Sequence, residues 1–232
     1  MDLNPAQLFH KNGYYVGKFK HSTVFSELCA KLQDLAVNNL RSGYLWLEKE
    51  KYIGSKDLRP YCWEYDPVFL NIIFDQDILG LLIELFGYRP MLLGANIRIN
   101  MPGQPYSTWH RDTSYYDHRI KGNVPPIINI HYYPKFSHTP EPQLELWPST
   151  HHLMSPLKII DRIMVKTIIP IQIQSDNQNF LIMDTSVIHR IKPTRYNEGA
   201  MRLMYAFGRN FQTDTHADHR GLHELFLNRI KK

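Results

Sequence analysis

Two stretches, Trp109-His110-Arg111-Asp112 and Asp184-Thr185-Ser186-Val187-Ile188-His189, hold the residue types best suited to gripping a divalent metal. Side chains two apart on an extended strand project from the same face. His110 and Asp112 therefore aim an imidazole nitrogen and a carboxylate oxygen at one point. His189, beyond the apolar run Phe180 to Met183, brings a second imidazole from another strand. Two nitrogens and one oxygen make the facial triad of non-haem Fe(II) oxygenases, which leaves coordination positions open. A chain with 12 histidines produces His-x-Asp by accident, so the motif needs context. Arg202 supplies some. It sits inside the apolar run Met201 to Phe207, and an arginine buried on a strand needs an anion; its planar fork suits a carboxylate.

The sequence around these residues resembles the phytanoyl-CoA dioxygenase family of Fe(II)- and 2-oxoglutarate-dependent oxygenases, along most of its length. Phe9-His10-Lys11-Asn12-Gly13-Tyr14-Tyr15-Val16 is similar to the family's opening helix end, glycine and first strand. Arg98-Ile99-Asn100-Met101-Pro102-Gly103, followed by the His110/Asp112 segment, resembles its strand, Pro-Gly turn and first two iron ligands. Leu144 to His151 resembles its Pro-Gly-Ser-His segment, with Ser149 standing where glycine is usual. The Arg98-Ile99-Asn100 stretch is especially close to ectoine hydroxylases, without carrying their substrate over.

The resemblance implies Fe(II) held by His110, Asp112 and His189, with 2-oxoglutarate and O2 as cosubstrates. Arg202 would pair the distal carboxylate of 2-oxoglutarate and Asn100 would assist. His131, on a strand with alternating polar residues, could also reach the cosubstrate; the structural alternative is a satisfied buried histidine. The loop from Lys192 to Gly199 is slightly longer than usual between the last ligand and the arginine, which leaves Arg195 as a fallback. The expected reaction is hydroxylation of a small molecule with release of succinate and CO2. Related halogenases carry a small residue at the position of Asp112, so a carboxylate there favours hydroxylation.

The elements that must position these groups follow from pattern. Asn4 caps a helix over Pro5 to Lys11, with proline at the tolerated first position, and Gly13 ends it. Tyr14 to Lys18 reads as a strand, and Val24 to Leu40 as an amphipathic helix. Arg41 to Tyr65 is undecided between loop and irregular strand. Asp66-Pro67 opens a helix that continues or renews over Ile78 to Phe86. Met91 to Met101 alternates, with Asn96, Arg98 and Asn100 on one face; such a polar face lines a cavity or a solvent edge. Ile127 to Tyr133, Leu144 to Trp147, Met164 to Ile173 and Phe180 to Met183 read as further strands. Tyr115, Tyr116, Asn96, Arg98 and Trp147 are candidate substrate contacts, and Tyr106 and Arg111 are chain neighbours of the site. His151 and His152 are rejected as ligands because adjacent residues on extended chain face opposite ways.

Short strands with Gly/Pro turns behind an N-terminal helical part predict a mainly β fold with flanking helices. The specific expectation is a double-stranded β-helix, a jelly-roll of cupin-like type. One domain over 1–232 is expected, helix-rich to about residue 90, with the β core near 91–210 and a C-terminal tail helix. Apolar content of 43% is ample for its core. The formal charge of +5 admits an anionic substrate, but basic residues are scattered and form no nucleic-acid stripe. Cys29 and Cys62 make no disulfide framework and suit a reducing compartment. With no signal segment and no apolar run near ~18 residues, a cytoplasmic protein with no membrane partner is expected. Two other classes use parts of the same pattern: a zinc-dependent hydrolase on the His/Asp/His site, and a non-catalytic jelly-roll binding protein.

Overall fold

In the computed structural model the described residues are 3–19, 22–34, 47–48, 55–58, 66–100, 109–112, 127–134, 142–153, 158–167, 169–174, 178–191 and 200–208. The chain opens with α1 (Pro5–Asn12), β1 (Tyr14–Lys18), α2 (Ser22–Asp34), β2 (Leu47–Glu48) and β3 (Ser55–Leu58). A 3-10 helix (Pro67–Phe74) and α3 (Gln76–Phe86) precede β4 (Met91–Asn100) and β5 (Ile128–Tyr132). Then come β6 (Pro142–Leu146), a short 3-10 turn (Thr150–Leu153), α4 (Lys158–Thr167), β7 (Ile171–Gln174), β8 (Asn179–Asp184), β9 (His189–Ile191) and β10 (Ala200–Gly208).

Local chemistry explains the helix ends. Asn4 and Gln7 form a reciprocal capping box at α1, and Gly13, at φ 81°, closes it in a left-handed turn. A side chain at Gly13 would collide with His151 and Val187. Asp75 caps α3 through the backbone N–H groups of Asp77 and Ile78.

A seven-stranded antiparallel sheet runs in the order β1-β8-β5-β10-β4-β3-β2, and a three-stranded one in the order β7-β6-β9. One face of the large sheet is apolar. Ile130, Tyr132, Ile182, Leu203, Tyr205 and Phe207 pack there against residues of the helices, including Phe9, Leu28, Leu32, Phe69, Ile78 and Leu82. Each such side chain, fully buried, stabilises by roughly 1.5–3 kcal/mol, so this layer holds the fold. Tyr205 anchors it further by donating to the Phe69 carbonyl. Cys29 sits at the edge of this core with its Sγ 2.8 Å from the Tyr132 hydroxyl, and burial pushes its thiol up towards an inert, protonated state. Cys62 lies outside the described residues.

The opposite face meets the small sheet. Tyr14, Leu181, Met183 and Tyr133 pack there against Leu144, Leu146, Ile171, Ile173 and Ile191. A third cluster, Trp147, Met164 and Ile188 with Trp109 and Ile160, fastens α4 beside the His110 segment.

One sequence expectation needs correction, and one open reading is resolved where residues are described. Met164 to Ile173 is not one strand: α4 occupies Lys158–Thr167 and the strand starts at Ile171. Ile160 and Met164, one helical turn apart, both join the third cluster, and that tertiary packing overrides the β-branched composition. Within Arg41 to Tyr65, β2 and β3 form an edge ribbon, with Asp57 opposite Arg98 and Ser55 opposite Asn100. That shape is set by β4, not by local sequence. No helix among the described residues is long and apolar enough to cross a membrane.

Candidate metal centre

His189 begins β9 and lies opposite Leu146 of β6, so it faces inward with Ile191. The segment carrying His110 joins it through one isolated antiparallel bridge: His110 N–H donates to His189 O at 3.0 Å, and His189 N–H to His110 O at 2.9 Å. Their rings come within 4.4 Å, centre to centre. Asp112 completes the group, with His110 Nε2 at 3.4 Å from one carboxylate oxygen and His189 Nε2 at 3.8 Å from the other. One donor atom from each of the three residues lies within 4.8 Å of the other two. The alternation argument for His110 and Asp112, with His189 from a distant strand, therefore describes the observed convergence.

The surroundings prepare these donors for a metal. The carbonyl of Val187 can only accept, so the His189 Nδ1 facing it at 3.0 Å carries the proton and Nε2 keeps its lone pair. Burial holds the His189 pKa down at about 4, the nearby Asp112 charge only partly opposing this. Burial on its own would push the Asp112 carboxyl up; His189, His110 and Arg202 outweigh it and hold the group well below the usual carboxylate range. At neutral pH the pair is thus an anionic carboxylate beside a neutral imidazole. Protein crowds Asp112, yet 37% of its side-chain surface stays reachable, so a ligand can approach. Asn129, buried on β5, donates to the Asp112 oxygen nearest His189 at 3.0 Å and fixes the carboxylate's rotation. Alternation along Ile127 to Tyr133 puts Asn129 on the face of His131 but gives it no partner.

The polar residues of the large sheet share the face on which Asn129 sits. Register pairs His131 with Met204 and Met204 with Asn96; two residues on, Arg202 lies opposite Arg98. Arg202 is buried, and its charge reaches Asp112, His131 and His189. His131 is fully buried and its pKa is held well below the ordinary value, chiefly by burial and then by the nearby Arg202 charge. Its Nδ1 faces the Tyr133 hydroxyl at 3.4 Å, while its Nε2 and the Asn96 Oδ1 have no hydrogen-bond partner among the described residues. Buried polar atoms without partners cost about 1–3 kcal/mol each, so this face is shaped for a polar guest. The two imidazoles and one carboxylate fit Fe(II), and the buried Arg202 guanidinium beside them fits a carboxylate of 2-oxoglutarate.

Other expected site residues fall elsewhere. Trp147 is 1% exposed inside the third apolar cluster, stacked at 3.6 Å on Trp109, and has no surface to offer a substrate. Arg111 points away from the metal donors. Only the backbone of Arg98 and Asn100 is described; Tyr106, Tyr115, Tyr116 and Arg195 lie outside the described residues. His151 and His152 do not face opposite ways. They sit on a tight turn led by Ser149 at φ 63°, and both Nε2 atoms donate to the His10 carbonyl, at 3.0 and 2.9 Å. Ser149 meets the Lys11 and Asn12 carbonyls, so this turn caps the end of α1. Capping, not the alternation argument, is what takes the two histidines out of metal binding.

No protein-family profile matches the chain, and no curated protein sequence is similar to it. Solved structures do share its fold. EvdMO1 matches with TM-score 0.67 and 14% identity over 89% of this chain, which spans only 49% of EvdMO1. HygX from Streptomyces hygroscopicus, with nickel and 2-oxoglutarate bound, matches with TM-score 0.67 and 14% identity, covering 95% of each chain. The non-haem α-ketoglutarate-dependent epimerase SnoN of nogalamycin biosynthesis matches with TM-score 0.68 and 10% identity over 94% of this chain and 89% of SnoN. At such identities the likeness establishes the fold alone, one that this chain shares with HygX and SnoN.

Proposed function

We propose that this chain is an Fe(II)- and 2-oxoglutarate-dependent oxygenase of phytanoyl-CoA dioxygenase-like type, hydroxylating a small molecule between the two walls of a double-stranded β-helix. The observation that carries the reading is the convergence of His110, Asp112 and His189 beside a buried arginine on the inter-sheet face. His110, Asp112 and His189 would hold the metal. Fe(II) with 2-oxoglutarate and O2 supplies an oxidant strong enough for an unactivated C–H bond, 2-oxoglutarate leaving as succinate and CO2.

The protein's own residues supply geometry and exclusion of water. Arg202 binds the distal carboxylate of 2-oxoglutarate, with Asn100 assisting. The Nε2–H of His131 can donate to an oxygen of the bound guest, while the Oδ1 of Asn96, which only accepts, suits a donor such as a substrate hydroxyl. Asn129 keeps the Asp112 carboxylate in one rotation. Related structures support a small-molecule substrate: HygX also occurs with hygromycin B bound, and SnoN with Fe3+, α-ketoglutarate and nogalamycin RO. SnoN, an epimerase, shows that one fold serves more than one outcome. Hydroxylation is favoured here by the carboxylate ligand Asp112, and the charge of +5 favours an anionic substrate. The free thiol of Cys29 suits a cytoplasmic setting.

The test is anaerobic loading with Fe(II) and 2-oxoglutarate, admission of O2, and a metabolite screen for compounds that accelerate succinate release. A zinc hydrolase would turn over without O2 and would have no use for Arg202; a binding module would release no succinate under any condition. Either behaviour refutes the oxygenase reading.

A further inference from the structure

Arg111, the spacer between two of the metal donors, is more deeply buried than either, with 4% of its side chain exposed. His110 and Asp112 need only an extended backbone between them; the identity of the spacer is irrelevant to their alternation. Yet its guanidinium is fully engaged. Nε donates to both oxygens of Asp161 on α4, at 3.3 and 3.1 Å, and one terminal nitrogen donates to Asp161 at 2.8 Å. The other terminal nitrogen donates to the Thr150 carbonyl at 2.8 Å and to the Ser186 carbonyl.

These partners matter because of where they stand in the chain. Ser186 belongs to the turn that delivers His189, and its own N–H and hydroxyl are held by the Asp184 carboxylate. Thr150 receives the N–H of Ile188, the residue before His189, on its hydroxyl. Among the described residues, the main-chain link between the two donor segments is a single bridge, at His110 and His189. One bridge fixes a point and leaves the segment free to pivot about it. A rigid planar fork bonded to α4 and to the His189 turn removes that pivot.

We propose that Arg111 is a positioning residue for the metal centre: by clamping the His110–Asp112 segment to α4 and to the turn before His189, it sets the spacing of all three donors. This rests on the metal reading of the site. Lysine cannot replace it, because one ammonium cannot present parallel bonds to a carboxylate and two carbonyls at once.

The test uses the full-length metal-free protein and Co(II) as the only probe, read by its visible spectrum and by competition with a chromophoric chelator. Wild-type protein that binds no Co(II) sinks the metal reading itself, before the variants are compared. Given wild-type binding, Arg111→Lys and Arg111→Met should bind Co(II) about 10–100-fold more weakly, with shifted visible bands, as for other losses of supporting contacts around a metal. Asp161→Asn keeps the two carbonyl contacts and should weaken binding by about three- to tenfold, on the same grounds. Thermal melts of the metal-free variants show which are folded. A folded Arg111 variant with wild-type affinity and spectrum overturns the proposal. If neither Arg111 variant folds, Asp161→Asn decides: weaker binding with an altered spectrum supports the clamp, and unchanged binding refutes it.

Discussion

The two faces of the seven-stranded sheet are built from alternate residues of the same strands, yet they follow opposite rules. On one, Leu203, Tyr205 and Phe207 join helix side chains in a single apolar cluster. On the other, Arg202 and His131 are equally buried but polar, and some atoms there, such as the His131 Nε2, have no hydrogen-bond partner among the described residues. The first face maximises apolar burial. Among the described residues, the second leaves polar atoms that a bound guest could satisfy. A period of two lets one strand serve both, so stability and binding are separable at adjacent positions.

The sharpest way to break that separation is at the metal. Asp112→Ala should reduce succinate formation by more than about a hundredfold, beyond the losses typical of supporting residues, while the melting temperature of the metal-free protein changes little. Substantial residual activity would place the centre elsewhere. Next come the neighbours Arg202 and Leu203. Arg202→Ala should weaken 2-oxoglutarate binding by about 2–5 kcal/mol, the range for losing one partner of a buried charge pair, with metal content near normal. Leu203→Ala should do the reverse, costing about 2–5 kcal/mol of unfolding free energy and leaving 2-oxoglutarate affinity unchanged in the folded protein. Equal effects of both on binding would mean that the faces are not independent. Asn129→Ala should free the Asp112 carboxylate and weaken Co(II) binding by about tenfold; isothermal titration against the wild type measures this.

Acidification gives the smallest effect, and its largest shifts lie on the polar face. The folded His189 pKa lies near 4 and that of His131 also lies well below the ordinary 6.5. Below 6.5 the unfolded chain therefore binds protons that the folded chain refuses. Their contribution to stability is fully present above about pH 6.5 and is lost as pH falls towards 4; the depressed Asp112 extends the loss to lower pH. Urea midpoints of the metal-free protein measured across this window should decline, and less so in His189→Leu.

The division between the faces also explains what the sequence revealed. The triad and Arg202 were legible because alternation is a local property, and α1 because its caps lie within three residues. Arg111 reads in the sequence only as a chain neighbour of the site, although the same alternation that joins His110 to Asp112 turns the residue between them away. The helix at Lys158–Thr167 was hidden by its isoleucines, whose β preference matters less than the packing of Ile160 and Met164. The spacing of those two, a helical turn, was the available signal. Asn129 could be placed on a face but not given a partner, since Asp112 reaches it across the fold.

The clasp between Ser149–His152 and the end of α1 has a practical side. The same tight turn holds Thr150, whose carbonyl receives Arg111 and whose hydroxyl receives the backbone just ahead of His189. Cutting the gene so that expression begins after Gly13 would strip that turn of its anchor. The shortened product should purify with depleted metal, a defect easily mistaken for poor reconstitution when its origin lies far from the donors along the chain.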